Sequence, residues 1–202
     1  MSILGLTGGI AMGKTTMADM LAKRGIELVD TDVIARQLTA GGGKALPEIV
    51  AAFGEQVIDS SGALDRALMA QMVFRDPLKR QKLESILHPL IREDWRGRVV
   101  AFRERPSAHL IVVIPLLFET AAEGEFDQLI CVACSHKDQK QRLADRGWSV
   151  EHANDRIRSQ WPVERKMARC DLVLWTSCSL ELCQRQIEGM LVGLEGRSLG
   201  DG

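Results

Sequence analysis

The chain lacks an excess of either charge: 26 Lys and Arg stand against 27 Asp and Glu, a formal net charge of −1. Proteins that live on nucleic acid usually carry a basic surplus, so nucleic acid is not expected as a partner and any strong positive field must be local to a site. Long hydrophobic runs are missing too. The longest apolar stretch, Leu110 to Phe118, is interrupted by Pro115 and falls well short of the ~20 residues of a membrane-spanning helix. It reads as a buried strand, and no membrane partner is expected. No basic segment, apolar core and small-residue cleavage site precede the glycine loop, so no export signal is expected. Five cysteines, an odd number, predict reduced thiols and a cytoplasmic location rather than a disulfide framework. Cys131 and Cys134 form a C-x-x-C, but in the strand-like run Leu129 to Cys134 this (i, i+3) spacing points them to opposite faces. Such a pair is not expected to hold a metal. Internal repeats and low-complexity tracts are also lacking, which excludes a solenoid.

What is present is a chain of 202 residues, 46% hydrophobic, enough for one core that carries insertions. Short apolar runs recur at Ile3 to Leu6, Ile26 to Val29, Leu110 to Ile114, Leu129 to Val132 and Leu172 to Trp175. Each has strand length, and segments of helical spacing follow them. Strand and helix in alternation predict an α/β fold: a five-stranded parallel sheet covered by helices on both faces. The gap from about Ala35 to Ser107 is too long for a simple crossover and reads as a helical insertion. Within it, Gly41 to Gly43 breaks the chain, Pro47 begins a helix, Ser60, Ser61 and Gly62 mark a turn, and Leu64 to Phe74 is helical. A second helical insertion spans about His136 to Lys166 and carries Arg142, Arg146, Arg156, Arg158 and Arg165. The glycine-rich tail from Gly196 is expected to fray.

Gly8, Gly13, Lys14 and Thr15 satisfy G-x-x-x-x-G-K-[ST], directly after a strand and before a helical segment. Glycines are needed because successive backbone N–H groups must turn inward around phosphate oxygens. Lys14 places a positive charge on the β and γ phosphates, Thr15 offers its hydroxyl to Mg²⁺, and the following helix, Lys14 to Arg24, adds its N-terminal dipole. The nucleotide-binding residues are therefore expected to be Gly8, Gly9, Ile10, Ala11, Met12, Gly13, Lys14, Thr15 and Thr16. This phosphate loop leaves GTPases, ATPases and small-molecule kinases open. With a single asparagine, Asn154, there is no Asn-Lys-x-Asp guanine reader, and a metabolite kinase using ATP fits better.

Asp30-Thr31-Asp32 ends the second strand and places two carboxylates where an acceptor would sit. One can align an acceptor hydroxyl and take its proton while the other binds metal-bound water. Alternatively, Asp32 caps a helix from Val33 to Leu38.

Whole-chain features resemble the dephospho-coenzyme A kinase family. They are Gly5-Leu6-Thr7-Gly8-Gly9-Ile10, Asp30-Thr31-Asp32 with Ala35-Arg36, Leu64-Asp65-Arg66, His88-Pro89-Leu90-Ile91, Pro115-Leu116-Leu117-Phe118-Glu119, Gln141-Arg142, and Arg156 with Gln160. The resemblance implies transfer of the γ-phosphate of ATP to the 3′-hydroxyl of the ribose of dephospho-coenzyme A. It implies Asp32, Lys14 and Arg142 as catalytic groups, Arg142 acting as a lid arginine over the transferring phosphate. Acceptor contacts are then expected at Asp32, Arg66, His88, Pro115, Leu116 and Glu119. Asp65 also fits an N-cap, Arg66 a surface charge, and His88 before Pro89 the end of a helix at Leu87. The chain departs from the family pattern at Ala11, Met12 and Thr176. Val113 stands where many phosphate-loop proteins carry a metal-binding Asp, so Mg²⁺ is expected on Thr15, ATP oxygens, water and Asp30.

The expected organisation is a nucleotide-binding core of 1–35, 107–135 and 168–202, a helical acceptor region at 36–106 and a lid at 136–167, acting as a monomer. Another small-molecule kinase of nucleoside monophosphate or shikimate type, and a nucleotide-binding regulator without catalysis, are the alternatives.

Overall fold

The computed structural model describes residues 2–105 and 109–198. The expected boundary near 106 and 107 therefore lies outside the described residues. The chain divides into two compact units, one of Met1–Val29 with Phe102–Gly202, the other of Asp30–Ala101.

The first unit is built on a five-stranded sheet. Its strands are β1 (Ser2–Gly8), β2 (Glu27–Asp30), β3 (His109–Val113), β4 (Gln128–Ala133) and β5 (Leu172–Trp175), in the order β2-β3-β1-β4-β5. β1 pairs in parallel with both β3 and β4, and β4 with β5. A strand so enclosed has no solvent face, and β1 is buried from Ile3 to Gly8. Its alternation sorts the two sides. Leu4 and Leu6 join Met17 and Leu21 of α1 (Lys14–Ala22) and Ile187, Met190 and Leu194 of α9 (Leu180–Ser198) in one apolar cluster. On the other side a Cβ at Gly5 would lie 2.8 Å from the Phe126 ring and 2.9 Å from Leu117, so the glycine admits their close packing. Between β4 and β5 lie α6 (His136–Asp145), α7 (Val150–Arg158) and α8 (Val163–Met167).

The second unit holds α2 (Thr31–Leu38), α3 (Leu46–Phe53), α4 (Arg66–Arg75) and most of α5 (Pro77–Arg103). Asp65 caps α4, its carboxylate accepting from Leu68 N at 2.9 Å, and Pro47 lies in the first turn of α3. Two expectations are corrected. Asp30, not Asp32, caps α2: its Oδ1 accepts from Asp32 N at 2.8 Å, while Asp32 itself lies in the first turn beside the positive helix end. Pro89 does not end a helix at Leu87, since α5 continues through it. An internal proline costs ~3 kcal/mol or more, and the burial of Ile86, Trp95, Val99 and Phe102 along the same helix offsets that cost at roughly 1.5–3 kcal/mol per large side chain. The tail expectation is corrected in part, because α9 runs through Gly196 to Ser198; the rest of the tail lies outside the described residues. Among the described residues, no helix is long and apolar enough to cross a membrane.

The side chain of Ile187 is fully buried whereas that of Val192 on the same helix is 69% exposed. Ile187→Ala should therefore cost about 2–5 kcal/mol in urea unfolding, and Val192→Ala less than about 0.5 kcal/mol. Equal effects would contradict the placement of α9 on the sheet.

Candidate active site

β1 ends at Gly8, and the chain must turn sharply into α1. Gly8 has φ +149°, and a Cβ there would sit 2.2 Å from the Val132 carbonyl oxygen, so only glycine allows β4 so near. Gly13, with φ +87°, is the left-handed N-cap of α1 and makes no side-chain cap hydrogen bond. The first intrahelical bond is Met17 N to Gly13 O at 3.1 Å, which leaves the N–H groups of the first turn aimed outward as an anion site. Ala11, between the glycines, also takes a positive φ of 58°. A left-handed backbone at an alanine costs of order 1–2 kcal/mol, which the loop accommodates.

N–H groups that face inward leave carbonyls facing outward, and each of these is met by a donor. Lys14 Nζ donates to Gly8 O at 2.9 Å and Gly9 O at 2.8 Å. Gln139 Nε2 donates to Ile10 O at 2.9 Å. Arg142 donates to Ala11 O at 3.4 Å, and Thr176 Oγ1 to Met12 O at 2.9 Å. Arg142 also donates to Thr176 Oγ1 at 2.9 Å and Thr176 O at 2.7 Å. Ser135 N bonds Ser177 Oγ at 2.8 Å. Hydrogen bonds from Ser177, and then Ser135, hold the Asp138 carboxyl below its ordinary range, so the start of α6 is fixed to the loop after β5. Thr15 and Thr16 are exposed and Lys14 half-buried, as residues meeting a ligand should be.

A sequence model of the dephospho-CoA kinase family matches residues 2–181. A dephospho-CoA kinase of Bdellovibrio bacteriovorus is 40% identical over 195 residues, 96% of this chain and 97% of the relative. The chain belongs to the dephospho-CoA kinase family. Among solved structures, the dephospho-CoA kinase from Campylobacter jejuni is similar with TM-score 0.73 and 22% identity, covering 96% of this chain and 98% of that one. Shikimate kinase from Acinetobacter baumannii in complex with shikimate is similar with TM-score 0.52 and 16% identity, over 96% and 94% of the two chains. Likeness at these identities speaks to the fold alone, and the same α/β architecture under two kinase names does not by itself choose an acceptor.

Within this family chain, the residues expected to carry function fall into groups. Gly8 to Thr16 form one loop and helix start, joined to Arg142 as described. Pro115 and Glu119 come together after β3: Lys166 Nζ donates to Pro115 O at 2.8 Å and lies 2.9 Å from Glu119 Oε1. Leu116, next to them, is half-buried, and its carbonyl accepts from Thr120. Asp30, Asp32, Arg66 and His88 belong to the second unit. There Asp32 is exposed and His88 lies half-buried along α5. Arg66 donates to Thr39 Oγ1 at 3.1 Å and Arg36 O at 3.4 Å, which satisfies the carboxyl end of α2. Sequence reasoning missed Gln139 and Lys166 as supporting groups. In α8 the apolar Val163 stands three positions before Lys166, a helical spacing that puts both on the buried face. Thr176 was noticed only as a departure.

Thr176→Val keeps the shape and removes the hydroxyl, leaving Met12 O and one Arg142 donor without their partner. It should cost about 1–3 kcal/mol in stability and weaken ATP binding. Thermal unfolding and nucleotide titration check this, and a variant with native stability and native ATP affinity would separate Thr176 from the loop.

Proposed function

We propose that this protein transfers the γ-phosphate of ATP to the ribose 3′-hydroxyl of dephospho-coenzyme A, giving coenzyme A and ADP. The observation that carries the reading is a glycine phosphate loop that opens α1 without a side-chain cap, in a chain of this family. The backbone N–H groups and Lys14 bind and orient the β and γ phosphates, Lys14 moving its ammonium from the loop carbonyls to phosphate oxygens when nucleotide enters. Arg142 keeps further donors in its fork beyond those given to Thr176 and Ala11, and these are assigned to the transferring phosphate. Asp32 is assigned the proton of the acceptor hydroxyl. Phosphoryl transfer is loose, so its main task is to align that hydroxyl.

Thr15 fits Mg²⁺: it is an exposed hydroxyl in the first turn of α1, and this ion takes few protein oxygens beside phosphate and water. When bound, Mg²⁺ held by the Thr15 hydroxyl would supply positive charge that neutralises the charge developing on the phosphates. Asp30 gives one oxygen to capping α2 and keeps the other for such a role. The region 36–106, with Arg66, His88 and, beyond it, Pro115, Leu116 and Glu119, is assigned to the acceptor, and 136–167 to a lid that excludes water. A monomer is taken as the acting unit. The described cysteines are free thiols, in keeping with a reducing cytoplasm.

With ATP and Mg²⁺, a panel of dephospho-coenzyme A, shikimate and nucleoside monophosphates should show transfer to the first alone; folded protein that leaves it unphosphorylated would refute the proposal. Chelation of Mg²⁺ should stop turnover, while turnover that survives complete chelation removes the ion from the reaction. Asp32→Asn should lower kcat by roughly 10²-fold or more with ATP affinity retained. Near-normal kcat would take Asp32 out of the chemistry.

A further inference from the structure

The side chain of Lys166 has no solvent exposure, and that of Glu119 only 16%. A buried ion pair of this kind is often no more stabilising than apolar residues of the same volume, so its presence calls for a purpose other than stability. Its connections supply one. Glu119 Oε1 lies 2.9 Å from Lys166 Nζ and accepts from Trp161 N at 2.7 Å, in the turn between α7 and α8. Pro115 O accepts from Lys166 and from Thr7 Oγ1, at 2.8 and 3.3 Å, just before the phosphate loop. Immediately before Trp161, Gln160 Oε1 accepts from the Ile10 N–H of that loop at 3.0 Å. Phe118 stacks on Trp161 with centroids 5.5 Å apart, and Arg165 covers Trp161 at 3.4 Å, which leaves the turn little freedom.

We propose that Lys166 is a positioning residue for phosphoryl transfer. It fixes the Glu119 carboxylate, Glu119 fixes the Trp161 amide, and the turn so held presents Gln160 to Ile10, setting the aim of the phosphate loop. Lys166 itself touches neither nucleotide nor acceptor. Glu119 thereby acts from within the protein rather than on the acceptor alone. The inference rests on the kinase reading for its kinetic consequence, but its structural consequence at Ile10 does not depend on which acceptor is used.

The test compares Lys166→Met, Glu119→Gln and the double variant with the unaltered protein. Three quantities are measured: kcat with ATP and dephospho-coenzyme A, ATP affinity by titration, and amide hydrogen exchange at Ile10. Losing the link should lower kcat at least about tenfold, as expected for misplacement near the reacting groups. ATP affinity should stay within about threefold, because uniform binding is retained. Exchange at Ile10 should quicken by at least about tenfold, while the amides of α9 stay protected. The double variant, freed of an unpaired buried charge, should recover thermal stability but neither kcat nor Ile10 protection. Its kcat should match that of either single variant, since both act through one link. A double variant with native kcat and native Ile10 exchange would overturn the proposal and leave the pair a purely structural one. Should Lys166→Met fail to fold, Glu119→Gln alone decides: native Ile10 protection and native kcat there refute the link. Loss of Ile10 protection in a protein that never phosphorylates dephospho-coenzyme A would uphold the link and reject the acceptor.

Discussion

A loop that turns its backbone N–H groups toward a phosphate must turn its carbonyls away from it, and away from the ligand lies the protein interior. Carbonyls there need donors, or each costs on the order of 1–3 kcal/mol. From Gly8 to Gly13 the need is met in order by Lys14, Gln139, Arg142, Thr176 and the start of α1 itself. The anion site is thus the visible half of an arrangement whose other half is drawn from α6 and the loop after β5. That explains why the polar Gln139, only 2% exposed, is buried on α6 beside the apolar Leu143. It also explains why Thr176, at the end of a short edge strand, is buried.

The same accounting joins the phosphate loop to the segment assigned as lid. Gln139 and Arg142 lie on α6, and Gln160 precedes α8, so both ends of that segment hold loop atoms. Motion of the segment cannot leave the loop unaffected, because each donor withdrawn orphans a carbonyl and withdrawal of the Gln160 acceptor orphans the Ile10 amide. These named hydrogen bonds are a physical basis for coupling between that segment and the phosphate loop, rather than proximity alone.

Much of this was legible beforehand where a local rule governs. The strands appear where short apolar runs predict them, because a buried parallel strand needs apolar residues on both faces. The phosphate loop follows from glycine spacing, and the Asp65 cap from a turn beside a helical period. What escaped was non-local. Pro89 reads as a stop because its rule concerns the backbone alone, whereas burial along α5 decides the outcome. Asp32 is the cap that composition offered, whereas the backbone, extended at Asp30, makes Asp30 the cap. Lys166 in Val-Glu-Arg-Lys-Met looks like one more solvated charge, since nothing near it in sequence announces partners at Pro115 and Glu119.

Residue type at position 142 also follows from geometry more than from charge. The side chain there must reach Ala11 O, Thr176 O and Thr176 Oγ1 at once, three acceptors that no single ammonium is shaped to meet in a plane. A guanidinium meets them with its rigid fork, loses little freedom in doing so, and keeps donors for an anion. A lysine would conserve the charge and abandon the arrangement, since one ammonium cannot replace the fork at Ala11 O, Thr176 O and Thr176 Oγ1 together. The positive charge expected over the transferring phosphate and the donor required behind the loop are therefore demands on one side chain, and arginine is the residue that can answer both.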